Sequence, residues 1–250
     1  MKKILADIPF YPDRRHSERC KLDVYVPESS TTFPTLVWFY GGGMMEGDKS
    51  FPHELADQGI TVVTPDYRLH PNTKAPGYIE DAAAAVAWTF ANIASFGGDP
   101  NRVYVGGCSA GGYLASMVVL DKRWLKPYGL DPDQVKGLAS ISGQAITHFT
   151  IRSERGIPEH QAIIDDLAPF YHIRKEAPPI CLVTGDRELE IMGRYEENAY
   201  FHRMLNLVGH EANELHELPG RDHGGVGGDG MPYMIRFIQK LDADGTAVCP

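Results

Sequence analysis

Short apolar runs alternate along the chain with longer segments that mix alanine and polar residues. The run from Leu36 to Tyr40 is continuously apolar, which is typical of a strand buried on both faces. Residues Leu22 to Val26 alternate apolar and polar side chains, as a half-exposed strand does. The alanine-rich segment from Tyr78 to Asn92 predicts a helix. These segments are the first members of an alternating series of strands and helices.

The same reasoning predicts the remaining elements. The further predicted strands are Ile60–Thr64, Arg102–Gly106, Val135–Ser142, Ile180–Thr184 and Glu214–Leu218. The further predicted helices are Pro52–Gln58, Tyr113–Leu120, Tyr195–Leu207 and Met231–Leu241. This order predicts a single α/β domain over residues 1–250, with a mostly parallel sheet covered by helices on both faces. Residues 144–175 contain no clear strand and form either a small lid or a crossover with short helices.

Composition excludes several classes of protein. A net charge of -9 argues against a nucleic-acid partner, which would require a basic surface. No apolar stretch is long enough to cross a bilayer, so we expect no membrane partner. Lys2 and Lys3 carry the charge of a signal peptide, but Asp7 and Pro9 interrupt the apolar core that such a peptide needs. We therefore expect a cytoplasmic protein, or a periplasmic or secreted one whose leader has been removed.

The four cysteines, Cys20, Cys108, Cys181 and Cys249, are widely spaced and form no C-x-x-C pair. This spacing favours free thiols over a disulfide framework or a metal site. We therefore expect neither a metal nor a cofactor.

A candidate nucleophile lies in the segment Gly107-Cys108-Ser109-Ala110-Gly111, which matches G-x-S-x-G. The motif comes directly after a predicted buried strand and directly before a predicted helix. A catalytic serine requires that context, because it must project from a sharp strand-to-helix turn. The sequence therefore indicates Ser109 as a nucleophile.

A glycine run, Gly41-Gly42-Gly43, follows Tyr40 at the end of an earlier strand. Glycines at this position let backbone N–H groups approach a substrate closely. We expect Gly42 and Gly43, together with the N–H of Ala110, to form an oxyanion hole.

The serine needs a base and an acid. His223 lies in the loop after the last predicted strand, where it can reach the active-site edge of the sheet. In this kind of triad the acid falls between nucleophile and base along the chain. Glu188 is the preferred acid because it lies a few residues beyond the strand Ile180–Thr184. Asp186 is the alternative acid, although its side chain can instead hydrogen-bond backbone groups to shape the turn, and Glu190 is a distant third candidate.

Four blocks together resemble the esterase/lipase branch of the α/β-hydrolases. This group includes hormone-sensitive-lipase-like esterases, feruloyl and acetyl-xylan esterase relatives, and arylformamidases. The blocks are Val37–Gly43, Thr64–Leu69, Phe96–Val103 and Ser109–Gly112. The resemblance implies an α/β-hydrolase fold, and it implies the roles already suggested for the serine, the histidine and the three backbone donors. The family's acid usually lies three residues after the glycine that ends its strand, which here is Glu188.

Two positions depart from the family pattern. Tyr40 replaces the usual histidine before the glycine run, and we expect its hydroxyl to support that loop. Glu188 stands where the family usually has aspartate. The chain also lacks a large helical cap, which favours short acyl groups or esters on carbohydrates. The expected function is carboxylic-ester hydrolysis through an acyl-enzyme. The alternatives are an arylformamidase-like amide hydrolase, acting on a substrate such as N-formylkynurenine, and a non-catalytic binding protein of the same fold.

Overall fold

The computed structural model describes residues 2–28, 32–191 and 193–246. The strands are β1 (Lys2–Pro9), β2 (Lys21–Val26), β3 (Phe33–Phe39), β4 (Thr61–Pro65), β5 (Gly98–Cys108), β6 (Gly137–Ile141), β7 (Ile180–Gly185) and β8 (Asn213–Leu218). The α-helices are α1 (Gly77–Asn92), α2 (Ala110–Leu120), α3 (Phe149–Glu154), α4 (Arg194–Leu207) and α5 (Val226–Thr246).

The strands form one sheet in the order β1-β2-β4-β3-β5-β6-β7-β8. Strands β3 to β8 run parallel to one another, whereas β1 and β2 pair antiparallel at one side. The prediction of a mostly parallel α/β sheet is therefore confirmed. Because β3, β5, β6, β7 and β8 share one direction, the loops that follow them meet at the same edge of the sheet.

Alternation along the buried strands divides the core into two layers. On β7, Ile180 and Leu182 belong to the core layer that includes residues of α1, α2 and α4, whereas Cys181 and Val183 belong to the layer on the opposite face with α5. Successive side chains of a strand point to opposite faces, so a strand covered on both sides must be apolar throughout. Each fully buried side chain of this size contributes roughly 1.5–3 kcal/mol.

Three local expectations differ from the structure. The edge strand β1 was not predicted, because it is irregular: its pairing with β2 shifts register twice, near Lys3 and near Leu5. The predicted helix over Pro52–Gln58 is only a 3-10 turn at His53–Leu55. The predicted strand Arg102–Gly106 begins earlier in the structure, since β5 starts at Gly98, which pairs with Phe33.

The segment 144–175 contains the short helix α3 and a 3-10 turn at Pro169–His172. The expectation that this segment acts as a lid stays a prediction. Among the described helices, none is both long enough and apolar enough to span a membrane.

Candidate active site

Ser109 lies at the turn between β5 and α2, with a backbone φ of 54°. Positive φ is uncommon for a residue with a side chain and marks a sharp, strained turn. The turn also depends on its glycines. A Cβ on Gly107 would lie 2.3 Å from the carbonyl carbon of Gly111, and a Cβ on Gly111 would lie 2.0 Å from the Phe39 oxygen. The spacing G-x-S-x-G is thus required by the close backbone contacts at this turn.

His223 lies in the loop between β8 and α5, at the same edge of the sheet as Ser109. Its Nε2 is 2.9 Å from the Ser109 Oγ. Its other ring nitrogen, Nδ1, is 2.6 Å from a carboxylate oxygen, Oε1 of Glu190. A carboxylate can only accept here, so Nδ1 carries a proton and Nε2 is free to accept the serine proton.

The carboxylate against His223 belongs to Glu190, whose side chain is 1% exposed. The loop after β7 turns back on itself, because the Glu190 N–H donates to the Asp186 carbonyl at 2.7 Å. This single helical turn places the Glu190 carboxylate beside the end of β7. There its oxygens accept from the backbone N–H groups of Gly185 at 3.1 Å and Ile191 at 3.0 Å.

The residue against His223 is thus Glu190, and not the preferred acid Glu188 or the first alternative Asp186. Glu188 is exposed, and its backbone N–H donates to Asp186 Oδ1 at 2.9 Å. The other Asp186 oxygen accepts from the Gly220 N–H at 2.7 Å, while the Asp186 N–H donates to the Arg221 carbonyl at 2.7 Å. Asp186 thus joins its own loop, which follows β7 and bears Glu190, to the loop that carries His223.

The surroundings of Glu190 keep its carboxylate ionised. Burial by itself would raise the pKa, but hydrogen bonds from His223, Ser142 and the Gly185 N–H lower the pKa of Glu190 from 4.5 to about 2. At neutral pH the group is therefore an acceptor for the imidazole proton.

Ser142 follows β6 and is fully buried. Its Oγ lies 2.7 Å from Glu190 Oε2 and 3.0 Å from His223 Nδ1. Its backbone has a φ of 48°, and its carbonyl accepts a hydrogen bond from the Arg194 guanidinium. The predicted site did not include Ser142 or Arg194. The one available signal was that Ser142 comes at the carboxyl end of a predicted central strand.

The glycine run lies directly beside Ser109. A Cβ on Gly41 would be 3.3 Å from the Ser109 Cβ. Gly42 has a φ of 102° and Gly43 a φ of 64°, so both adopt backbone conformations that favour glycine. Ala110 is the first residue of α2, where backbone N–H groups lack acceptors within the helix. The assignment of Gly42, Gly43 and Ala110 as oxyanion donors remains a proposal.

Two tyrosines support this loop. Tyr40 stacks on Tyr67 with ring centroids 4.6 Å apart, and its hydroxyl accepts from the Arg19 guanidinium at 2.7 Å. The Tyr67 hydroxyl donates to the carbonyl of Tyr40 at 2.9 Å and lies 3.3 Å from the Gly41 carbonyl. The hydroxyl that reaches the start of the glycine run is thus supplied by Tyr67, within the block Thr64–Leu69.

Two cavities flank Phe149, whose ring would be 3.0 Å from a Cβ on Gly43. The larger has a volume of about 700 Å³, and its walls include the exposed apolar side chains of Ile164, Ile191 and Tyr200. The smaller, of about 270 Å³, is lined by Met45 and Phe149 among others.

Among the described residues, Cys20, Cys108 and Cys181 are free thiols, whereas Cys249 lies outside the described residues. The side chains of Cys181, Glu214 and His216 bring potential ligand atoms within 4.8 Å of one another. These groups already partner one another, since His216 Nε2 is 3.1 Å from Glu214 Oε1. The cluster lies on the α5 side of the sheet, where Cys181 is part of the core and the His216 ring contacts Tyr233.

The sequence of this chain is similar to a known protein family and to named esterases. The BD-FAE family model matches residues 22–146. Esterase LipC of Mycobacterium tuberculosis is 30% identical over 76% of this chain and 53% of its own length. The isoprenylcysteine alpha-carbonyl methylesterase ICME of Arabidopsis thaliana is 28% identical over 82% of this chain and 54% of its own. The chain therefore spans about half the length of these two relatives.

Solved structures share the fold. A truncated carbohydrate esterase from gut microbiota superimposes with a TM-score of 0.75 at 16% identity, covering 89% of this chain and 91% of that chain. Esterase 2 of Thermogutta terrifontis, phosphoramylated by tabun, superimposes with a TM-score of 0.72 at 22% identity, covering 92% of this chain and 91% of that one. The neighbours confirm the expected α/β-hydrolase fold.

Proposed function

The chain belongs to the BD-FAE family, and from that premise we propose that it is a serine-dependent hydrolase of carboxylic esters. The observation that carries the proposal is the continuous chain of contacts from Ser109 Oγ through the His223 ring to Glu190, with separations of 2.9 and 2.6 Å. The esterase names of LipC and ICME agree with this reaction class.

In the first half-reaction, Ser109 Oγ attacks the ester carbonyl carbon while His223 Nε2 removes the serine proton. Glu190 accepts a hydrogen bond from Nδ1 and stabilises the imidazolium that forms. As the tetrahedral intermediate collapses, the carbon–oxygen bond to the alcohol breaks. The alcohol leaves with the proton from His223, and the acyl group remains on the serine.

In the second half-reaction, a water molecule replaces the alcohol. His223 takes its proton as the water oxygen attacks the acyl carbon, and then returns a proton to Ser109 as the acid is released. In both steps the carbonyl oxygen carries negative charge. We assign its stabilisation to the backbone N–H groups of Gly42, Gly43 and Ala110, each of which typically contributes about 10²–10³ in rate.

The cavities favour an ester with a short acyl group and a larger, hydroxyl-bearing alcohol. The larger cavity combines exposed apolar side chains with the carboxylates of Glu159 and Glu196. Apolar surfaces can pack on a sugar ring while carboxylates accept its hydroxyl protons. The smaller cavity, at about 270 Å³ beside Met45 and Phe149, suits a short acyl chain. A carbohydrate ester would use both.

The test is hydrolysis of p-nitrophenyl acetate, butyrate and octanoate, followed by acetylated xylo-oligosaccharides. Wild type is compared with Ser109→Ala and with Ser116→Ala, a matched variant that removes another buried hydroxyl of the same turn-and-helix unit. A fluorophosphonate probe and peptide mass spectrometry then locate the labelled serine. We expect turnover of the acetate ester, loss of at least about 10³-fold in Ser109→Ala, and label on Ser109 alone.

Two results would overturn the proposal. One is an active Ser109→Ala protein, which would exclude the serine mechanism. The other is a folded wild type that reacts with no ester but hydrolyses an N-formyl aromatic amine, which would make it an amide hydrolase.

A further inference from the structure

Besides Ser109, a second serine contacts the pair formed by His223 and Glu190. The Ser142 hydroxyl touches both, at 3.0 Å from Nδ1 and 2.7 Å from Oε2. A hydroxyl has one proton, and the carboxylate oxygen at the shorter distance is the stronger acceptor. Ser142 therefore donates to Glu190, and its lone pair faces the Nδ1–H of His223.

This arrangement fixes both partners. Each Glu190 oxygen accepts one side-chain hydrogen bond: Oε1 accepts from His223 and Oε2 accepts from Ser142. The carboxylate plane is then set relative to the imidazole. Because the Ser142 proton is directed at Glu190, only a protonated Nδ1 can face its oxygen favourably, which favours the tautomer that leaves Nε2 free for Ser109.

Ser142 is itself held rigidly. Its N–H donates to the Val183 carbonyl at 2.6 Å, and its carbonyl accepts from the guanidinium of Arg194. Arg194 is 1% exposed, and its Nε donates to Glu197 Oε1 at 3.0 Å. The second Glu197 oxygen accepts from the N–H groups of Ala145 and Ile146, at 3.1 Å each. A buried polar network thus runs from the segment 144–175 to the acid.

We propose that Ser142 is a positioning residue that sets the orientation of the Glu190–His223 pair and is held in place by Arg194. The inference rests on the proposed function, since it concerns the same reaction. Ser142 is fully buried and cannot meet the substrate, so its effect falls on the rate of the chemical step and not on binding.

The test compares Ser142→Ala and Ser142→Gly with Thr184→Val. Both Ser142 variants remove the hydroxyl, but glycine also relieves the positive φ of 48°. Thr184 is a matched control on the neighbouring strand, because its buried hydroxyl has no hydrogen-bond partner among the residues that the structure describes. Each protein is measured for kcat, KM, the pH profile of kcat/KM and thermal unfolding, with reactive serine counted by a fluorophosphonate probe.

We expect both Ser142 variants to lose about 10- to 100-fold in kcat with little change in KM, whereas Thr184→Val behaves as wild type. The acid limb of kcat/KM should also move to higher pH. Without the Ser142 proton, the Glu190 charge is less neutralised and holds the imidazole proton more firmly. The charged or titratable groups that contact Ser142 are Glu190, His223 and Arg194, and the variants retain all three.

A purely structural role would give a different result. The kcat per reactive serine would then stay at the wild-type value in Ser142→Gly, and the acid limb would not move. That outcome would overturn the inference while leaving the serine mechanism intact. Failure of the proposed function would instead appear as an inactive wild type or an active Ser109→Ala.

Discussion

The hydroxyl of Tyr67 donates to the carbonyl oxygen of Tyr40 at 2.9 Å, and so fixes the peptide from which the glycine run begins. Tyr67 is fully buried on the strand-end block Thr64–Leu69, whereas the glycines follow β3. The bond therefore joins two loops that are distant in sequence but adjacent at the active-site edge.

Tyr67→Phe should lower kcat/KM by about tenfold and destabilise the fold by about 1–2 kcal/mol, because a buried carbonyl loses its donor. Tyr113→Phe is the matched control, since the buried Tyr113 hydroxyl donates to the Leu167 carbonyl at 2.6 Å. It should show a similar loss of stability with unchanged kcat/KM. Ester kinetics and urea unfolding measure both effects. Equal kinetic losses in the two variants would show that the Tyr67 bond has no particular effect on the glycine run.

Glu190→Gln should reduce kcat by about 10³–10⁴-fold, because an amide no longer stabilises the imidazolium and can favour the wrong tautomer. Glu188→Gln removes a carboxylate two residues away whose side chain is exposed, and should stay within about twofold of wild type. Steady-state kinetics on p-nitrophenyl acetate distinguish them. The opposite ranking would restore Glu188 as the acid.

Stability should depend on pH through Glu190. Because folding lowers the pKa of this group from 4.5 to about 2, its contribution is fully present above about pH 4.5 and is lost as pH falls toward 2. Glu190→Gln should therefore lose roughly 3 kcal/mol at pH 7 relative to wild type, and much less near pH 2.5. Urea unfolding at both pH values measures the difference. A loss of the same size at both would mean that the carboxylate charge is not what stabilises the fold here.

Alanine substitutions at Gly42 and Gly43 should differ in their effect on activity, because the two added Cβ atoms would meet different neighbours. A Cβ on Gly42 would meet the Glu46 carbonyl oxygen at 2.2 Å, a backbone atom that cannot move aside. A Cβ on Gly43 would instead meet the end of the Phe149 ring at 3.0 Å. Gly42→Ala should abolish activity, whereas the loss in Gly43→Ala should be partly recovered by adding Phe149→Leu.

Kinetics of the two single variants and the two double variants with Phe149→Leu test this contrast. Recovery of Gly42→Ala by Phe149→Leu would contradict it.

The positions of Ser109 and His223 could be predicted from sequence because each residue is tied to a strand end. Ser109 stands in a motif whose glycines are demanded by backbone contacts, and His223 follows the last strand. Both depend on local order along the chain. The carboxylate partner depends instead on how a short loop folds back, and spacing alone pointed to Glu188.

The position of the Glu190 carboxylate depends on a turn that is closed by the hydrogen bond from the Glu190 N–H to the Asp186 carbonyl. It shortens the path from β7, so that a residue five positions after Gly185 reaches the imidazole. Ser142 was missed for a similar reason, because its contacts come from a residue 48 positions away in sequence. The overall α/β order was predictable because continuous apolar runs mark the buried strands. The irregular edge strand β1 has no such run and was not predicted.

Asp186 has a wider consequence. Asp186 hydrogen-bonds to Gly220 and Arg221, and these bonds join the loop that bears Glu190 directly to the loop that bears His223. For protein engineering, the two loops are best moved together. A graft that transfers either loop to another hydrolase scaffold without its companion would lose the Asp186 contacts between them, whereas transferring both would keep those contacts.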